Sequence, residues 1–161
     1  MSSGTQVLVV EHDASMRERM VAWLEMDGFQ VMACPGPANP DYECIGFSRA
    51  GCPLARVADV VVLDTWTAAD AAVKGRGGFH LLRYYGGIHR PVVAIQHREA
   101  LHPRWDAAAA TLPWPPDRRE LVETVAVLAK RADLSHVEGP GGMVGMVSPG
   151  RGAAASVKAG R

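Results

Sequence analysis

The sequence predicts a doubly wound α/β domain on a five-stranded parallel sheet, and three observations lead there. The stretches "QVLVV" and "DVVVLD" are continuous apolar runs of strand length, which suits burial on both faces. Between such runs lie segments with helical spacing and capping signals. Strand and helix then alternate along the chain and close on a helix, the pattern of a parallel sheet covered on both sides.

The elements follow in order. After the first strand, "DASMRERMVAWLEMDG" predicts a helix, with Ser15 and Glu18 as a capping box and Gly28 where a helix stops. Met16, Met20, Val21 and Leu24 recur at helical spacing and form its expected buried face. "FQVMAC" is a second short strand. Residues 35–56 are rich in Pro and Gly and read as an irregular insertion. "DVVVLD", residues 59–64, is the clearest strand in the chain. "TWTAADAAVKGRGG" reads as a loop, and a helix starts near "FHLLRYYGG". "RPVVAIQ" is the fourth strand, and "AAAATLPW" contains a weaker fifth. The last helix begins at Asp117, with Glu120 completing a capping box and Leu121, Val125 and Leu128 as its apolar stripe. The expected domain spans 1–134; the Gly, Pro, Ser and Ala of 135–161 cannot build a core and predict a disordered tail.

A chain of 161 residues with zero formal net charge fits one globular domain and argues against an electrostatic nucleic-acid partner. No apolar run reaches membrane-spanning length, and "MSSGTQ" lacks a signal core, so the expected location is the cytoplasm with no membrane partner. Three cysteines, an odd number, do not suggest a disulfide framework.

Right-handed crossovers place the carboxyl ends of parallel strands on one edge, where sites of α/β proteins gather. That edge collects Glu11, His12 and Asp13, then Asp64 and Thr65, Gln96 and His97, and Trp114.

"VLVVEHD", "DVVVLD", "RPVVAIQ" and "LPWPPDRREL" resemble, in order and spacing, the receiver domains of bacterial two-component response regulators, over about residues 5–132. The resemblance implies a flavodoxin-like topology and places Asp64 at the phospho-acceptor position. A carboxylate at a strand end beside other acids is a sensible nucleophile. The family's magnesium-holding acid pair falls on Glu11 and His12, and imidazole is a poor replacement for a hard oxygen ligand. Asp13 is one residue late, so strand alternation aims it towards the helix N-terminus. Where the family has a hydroxyl and then a small residue, this chain has Gln96 and His97. Where it has a Lys before a Pro, this chain has Trp114 before Pro115, which offers one N–H and no charge. The resemblance also implies a cis Trp114–Pro115 bond, and the family's switch aromatic falls on Thr111.

These departures predict a divergent, stand-alone pseudo-receiver in which phosphoryl switching is weakened or lost. It is expected to be no enzyme beyond slow self-phosphorylation and dephosphorylation at Asp64. Mg²⁺ binding at Glu11 and Asp64 should be weak. The expected partner is a protein, a sensor kinase or downstream regulator, met through the face near the last helix, with a homodimer as a further option. An ordinary phospho-accepting regulator using Asp64 with Mg²⁺ and a structural adaptor without chemistry are the alternatives.

Cys34, Cys44 and Cys52 stand apart, with nine and seven residues between them. Three thiolates at this spacing suit zinc or an iron–sulfur cluster with a fourth ligand from a His, Asp41 or an external group, or a disulfide switch; they equally suit small buried side chains. Trp66, Trp105, Trp114, Tyr84 and Tyr85 read either as a binding surface or as core. His80, His89, His97 and His102 lack metal-ligand spacing and read as solvated or structural.

Overall fold

Five parallel strands form one sheet in the order β2-β1-β3-β4-β5, as the alternation of strand and helix requires. They are β1 (Gln6–Val10), β2 (Gln30–Cys34), β3 (Val60–Asp64), β4 (Val92–Gln96) and β5 (Ala110–Pro113). The helices are α1 (Ala14–Met26), α2 (Pro53–Val57), α3 (Gly78–Gly87) and α4 (Arg118–Val137). The structure, a computed structural model, describes residues 4–37, 44, 51–66, 78–97 and 108–137.

The order follows from burial. β1 and β3, the most apolar runs, lie inside the sheet, and Val7–Val10 and Val60–Asp64 are all buried. β2, with Gln30 and Ala33 exposed, is an edge. Period-two alternation splits each strand between two cores. Val7, Val9, Val60, Val62, Val93 and Ile95 pack with Met16, Met20 and Leu24 of α1 and Leu121, Val125 and Leu128 of α4. Leu8, Val10, Val61, Leu63 and Ala94 pack with Ala55 of α2 and Leu81, Leu82 and Tyr85 of α3. Each fully buried Leu contributes about 1.5–3 kcal/mol by leaving water.

α1 begins two residues earlier than its capping-box reading. The N-cap is Asp13, whose Oδ1 accepts the Met16 N–H at 2.7 Å, while Ser15 and Glu18 are exposed. A carboxylate here satisfies an orphan N–H and also meets the positive end of the helix. α1 stops at Gly28, with φ +90°, where Gly28 N–H bonds Glu25 O and Phe29 N–H bonds Leu24 O. That is a Schellman closure, and the left-handed residue in it favours glycine. At α4 the Glu120 N–H donates to Asp117 Oδ1 at 3.1 Å, the expected cap.

The insertion expected to be irregular holds one regular piece. α2 forms at its end because Pro53 sits at the first helical turn, where its missing N–H costs nothing. α4 continues through Val137, three residues past the expected domain end. The tail beyond 137, Asp41, Trp105, His102 and most of the 35–56 insertion lie outside the described residues. Among the described residues, no helix is long and apolar enough to cross a membrane.

Candidate functional site

Register builds the site. The β1–β3 ladder ends at Val10↔Leu63, so the next residue, Glu11, stands beside Asp64. The β4–β5 ladder ends at Gln96↔Pro113, so His97 stands beside Trp114. Glu11, His12, Asp64, His97 and Trp114 thus share the carboxyl edge. Their side chains then meet: His12 Nδ1 lies 3.1 Å from Asp64 Oδ2 and 3.1 Å from Glu11 Oε1. His97 Nε2 lies 2.8 Å from Asp64 Oδ1. The His97 ring stacks on Trp114, centroids 4.6 Å apart, and contacts Trp66 on another side at 5.4 Å.

Asp64 is fully buried, and both its oxygens are engaged. Oδ2 faces His12, while Oδ1 accepts from His97 and from the Trp66 backbone N–H at 3.1 Å. Since a carboxylate only accepts, each imidazole carries hydrogen on the nitrogen that faces it. His97, read from its spacing as solvated or structural and from its strand end as a pocket residue, is a pocket residue at 15% side-chain exposure.

Glu11 is also fully buried. Its Oε1 accepts the Asp13 N–H at 2.9 Å, but Oε2 finds no donor among the described residues. Burial and then the negative charge of Asp64 push the Glu11 carboxyl up from 4.5 to about 8, against the opposing pull of the Asp13 N–H. The loop is held by Arg17, whose guanidinium donates to the carbonyls of Glu11 at 2.7 Å and His12 at 3.2 Å. Sequence reasoning missed Arg17. A cation in the first turn of a helix opposes the dipole, and that misfit was the available signal.

The receiver fold implies Mg²⁺ on a cluster of carboxylates, and the residues present fit it poorly. Two carboxylates remain, Glu11 and Asp64, while His12 puts nitrogen between them and Asp13 is committed to the helix cap. Magnesium demands oxygen ligands in near-ideal octahedral geometry. Among the described residues, Glu11, His12 and Asp64 are nonetheless the only His, Cys, Asp or Glu group close enough to share an ion, with donor atoms within 4.8 Å of one another.

The cysteines do not assemble such a group. Cys34 and Cys52 are buried in the same core cluster as Tyr85, Ala55 of α2 and Leu81 of α3, and Cys44 packs against that cluster. Cys34 Sγ accepts the Gly36 N–H at 3.4 Å. The expectation of a preformed zinc or iron–sulfur site therefore gains no support: among the described residues, the three sulfurs do not lie close enough together to share one ion. Of the other expected pocket residues, Gln96 ends β4 with its carbonyl accepting the Trp114 N–H. The Trp114–Pro115 peptide is cis, as the resemblance implied. Thr111 is exposed on β5. Trp66 and Trp114 are 40% and 38% exposed and flank the pocket, whereas Tyr85 is core.

No protein-family model and no curated protein matches the chain. Solved structures do. A response-regulator receiver domain protein from Clostridium thermocellum is 18% identical, with a TM-score of 0.60 over 81% of this chain and 98% of that one. A CheY-like receiver domain protein from Methanospirillum hungatei is 14% identical, with a TM-score of 0.59 over 83% and 99%. A response-regulator receiver protein from Burkholderia phymatum is 22% identical, with a TM-score of 0.53 over 78% and 95%. With these matches, the strand order and the acid at the end of β3, the chain has the fold of the response-regulator receiver domains.

Proposed function

We propose that this chain is a signalling domain of receiver type that acts through contact with a protein partner and no longer switches by phosphorylation of Asp64. One observation carries the reading: Asp64 is fully buried, with both carboxylate oxygens held by His12, His97 and the Trp66 N–H. A carboxylate nucleophile needs a free oxygen facing an in-line phosphoryl donor, with cations to neutralise the charge that develops. Here the approach is filled by imidazole, and Trp114 supplies no charge where the family has a lysine. The partner, a sensor kinase or downstream regulator, meets the β5–α4 face, where Val127 is 49% exposed beside a groove walled by Ala109, Ala110 and Leu128.

Intact mass of the reduced chain, incubated with Mg²⁺ and acetyl phosphate beside Asp64→Ala, tests this. No phosphoryl adduct is expected on either protein. An adduct on the wild type that Asp64→Ala lacks would sink the reading and restore the phospho-accepting alternative.

A thiol input is a second reading, favoured by the gathering of Cys34, Cys44 and Cys52 around Tyr85. Two of the three thiols would join as a disulfide while the oxidant takes up two electrons and two protons. Diamide treatment followed by peptide mapping should find one internal disulfide among them; three thiols still alkylatable after treatment would end the idea.

A further inference from the structure

We propose that a hollow at the amino edge of the sheet, between the turn into β4 and the last turns of α4, binds a small organic carboxylate with an apolar body. The strands run parallel, so the residues that enter β4 and β5 lie at the edge opposite Asp64. There a hollow of about 750 Å³ opens between residues 88–91 and α4. Clefts that hold small organic molecules measure about 300–1,000 Å³. Ile88, Pro91 and Leu128 give this one apolar walls, while His89, Arg90 and Arg131 bring an imidazole and two guanidiniums to it. Among the described residues, no carboxylate lines the hollow, and none of the three basic side chains forms an ion pair. The lining therefore complements a ligand that is anionic at one end and apolar over the rest.

Two further observations single out the basic groups. Arg90 is pinned, since its Nη2 donates to the Arg56 carbonyl at 2.7 Å. Its Nε is buried and finds no acceptor among the described residues, a costly state for an N–H of a cation. A guanidinium held in one orientation takes a carboxylate through two parallel hydrogen bonds. Such a ligand brings Arg90 both an acceptor and a compensating charge. His89 is the second case. Its φ is 57°, the one positive value outside glycine among the described residues. The His89 N–H bonds Gly86 O at 3.0 Å and the Arg90 N–H bonds Tyr85 O at 2.9 Å, a Schellman closure of α3. Glycine is favoured at the left-handed place in that closure, yet Gly86 and Gly87 precede it and an imidazole occupies it. Strain kept at one position points to a use for the side chain it carries.

Calorimetric titration of 2-naphthoate into the reduced full-length chain reads this site. One equivalent should bind saturably. 2-Naphthamide, which keeps the shape and drops the charge, should bind at least about tenfold more weakly, as should acetate, which keeps the charge and drops the body. Arg90→Gln and the exposed Arg131→Gln should each weaken 2-naphthoate binding at least about tenfold. His89→Gly should weaken it about threefold while the melting temperature holds or rises, because glycine relieves the left-handed backbone. That variant separates a lost ligand contact from a lost fold. No saturable binding, equal affinity for 2-naphthamide or for acetate, or unchanged affinity in both arginine variants would each overturn the site. Neither Asp64 nor acetyl phosphate enters this titration, so this inference and the proposed function can fail separately.

Discussion

At the scale of single residues, one imidazole at position 12 alters the logic of the pocket. Two buried carboxylates side by side repel, and one of them responds by keeping its proton: Glu11, raised from 4.5 to about 8 by burial and by Asp64. The sign of the stability effect follows. A carboxyl whose folded-state value is raised contributes stability in full below its unfolded value and loses it as pH rises through the folded value. The metal-free wild type should therefore lose stability between pH 4.5 and about 8, the two values for Glu11. Glu11→Gln keeps shape and cannot ionise. Its melting temperature, measured in chelator across the same window, should be flatter and should overtake the wild type at the alkaline end. Parallel curves for the two proteins would show that Glu11 does not titrate there.

At the scale of elements, the short α2 shows how a Pro-rich insertion is tied to a regular sheet. The Cys52 N–H donates to Tyr84 Oη of α3 at 2.8 Å, and Arg90 donates to the Arg56 carbonyl at 2.7 Å. Gly51 makes the first contact feasible. Its φ is +71°, and a Cβ built there would lie 2.8 Å from Tyr84 Oη. Gly51→Ala should therefore cost about 1–3 kcal/mol in urea unfolding, from the left-handed backbone and the displaced hydrogen bond together. Adding Tyr84→Phe removes the clashing oxygen, so the double variant should lose less than the sum of the singles. Strict additivity would mean that α2 shifts freely and that Tyr84 does not anchor it. This tie was not legible in the sequence, because Gly51 and Tyr84 are 33 residues apart by number and nothing local marks the pair. The strands were legible, since an apolar run such as Val60–Leu63 has few other solutions. The helix start was half legible: Ser15 and Glu18 match a capping box, but Asp13 holds the cap two residues earlier.

At the scale of the whole molecule, the site was legible because it belongs to the topology. Parallel strands in register end together, so Glu11, Asp64, His97 and Trp114 had to share an edge once the strand order was granted. What the edge does with those side chains was not legible. That His97 seals Asp64 instead of crowding its entrance depends on ring orientation and on the stacking of His97 with Trp114, which follow from packing and not from spacing. The same separation of scaffold from contents yields a prediction for the entire pocket. If the backbone is still that of a working receiver, replacing the contents should restore the chemistry. The variant His12→Asp, Gln96→Thr, His97→Ala and Trp114→Lys returns an oxygen ligand, a hydroxyl, an open approach and a cation to their places around Asp64. Gln96, His97 and Trp114 adjoin one another and His12 shares Asp64 with His97, so their effects are not additive, and single changes should do little. The fourfold variant should gain Mg²⁺ affinity and take up a phosphoryl group from acetyl phosphate, read by intact mass, with Asp64→Ala in that background abolishing it. A folded fourfold variant that binds Mg²⁺ yet stays unmodified would show that Asp64 itself, sealed in the core at the end of β3, is displaced from any line of attack.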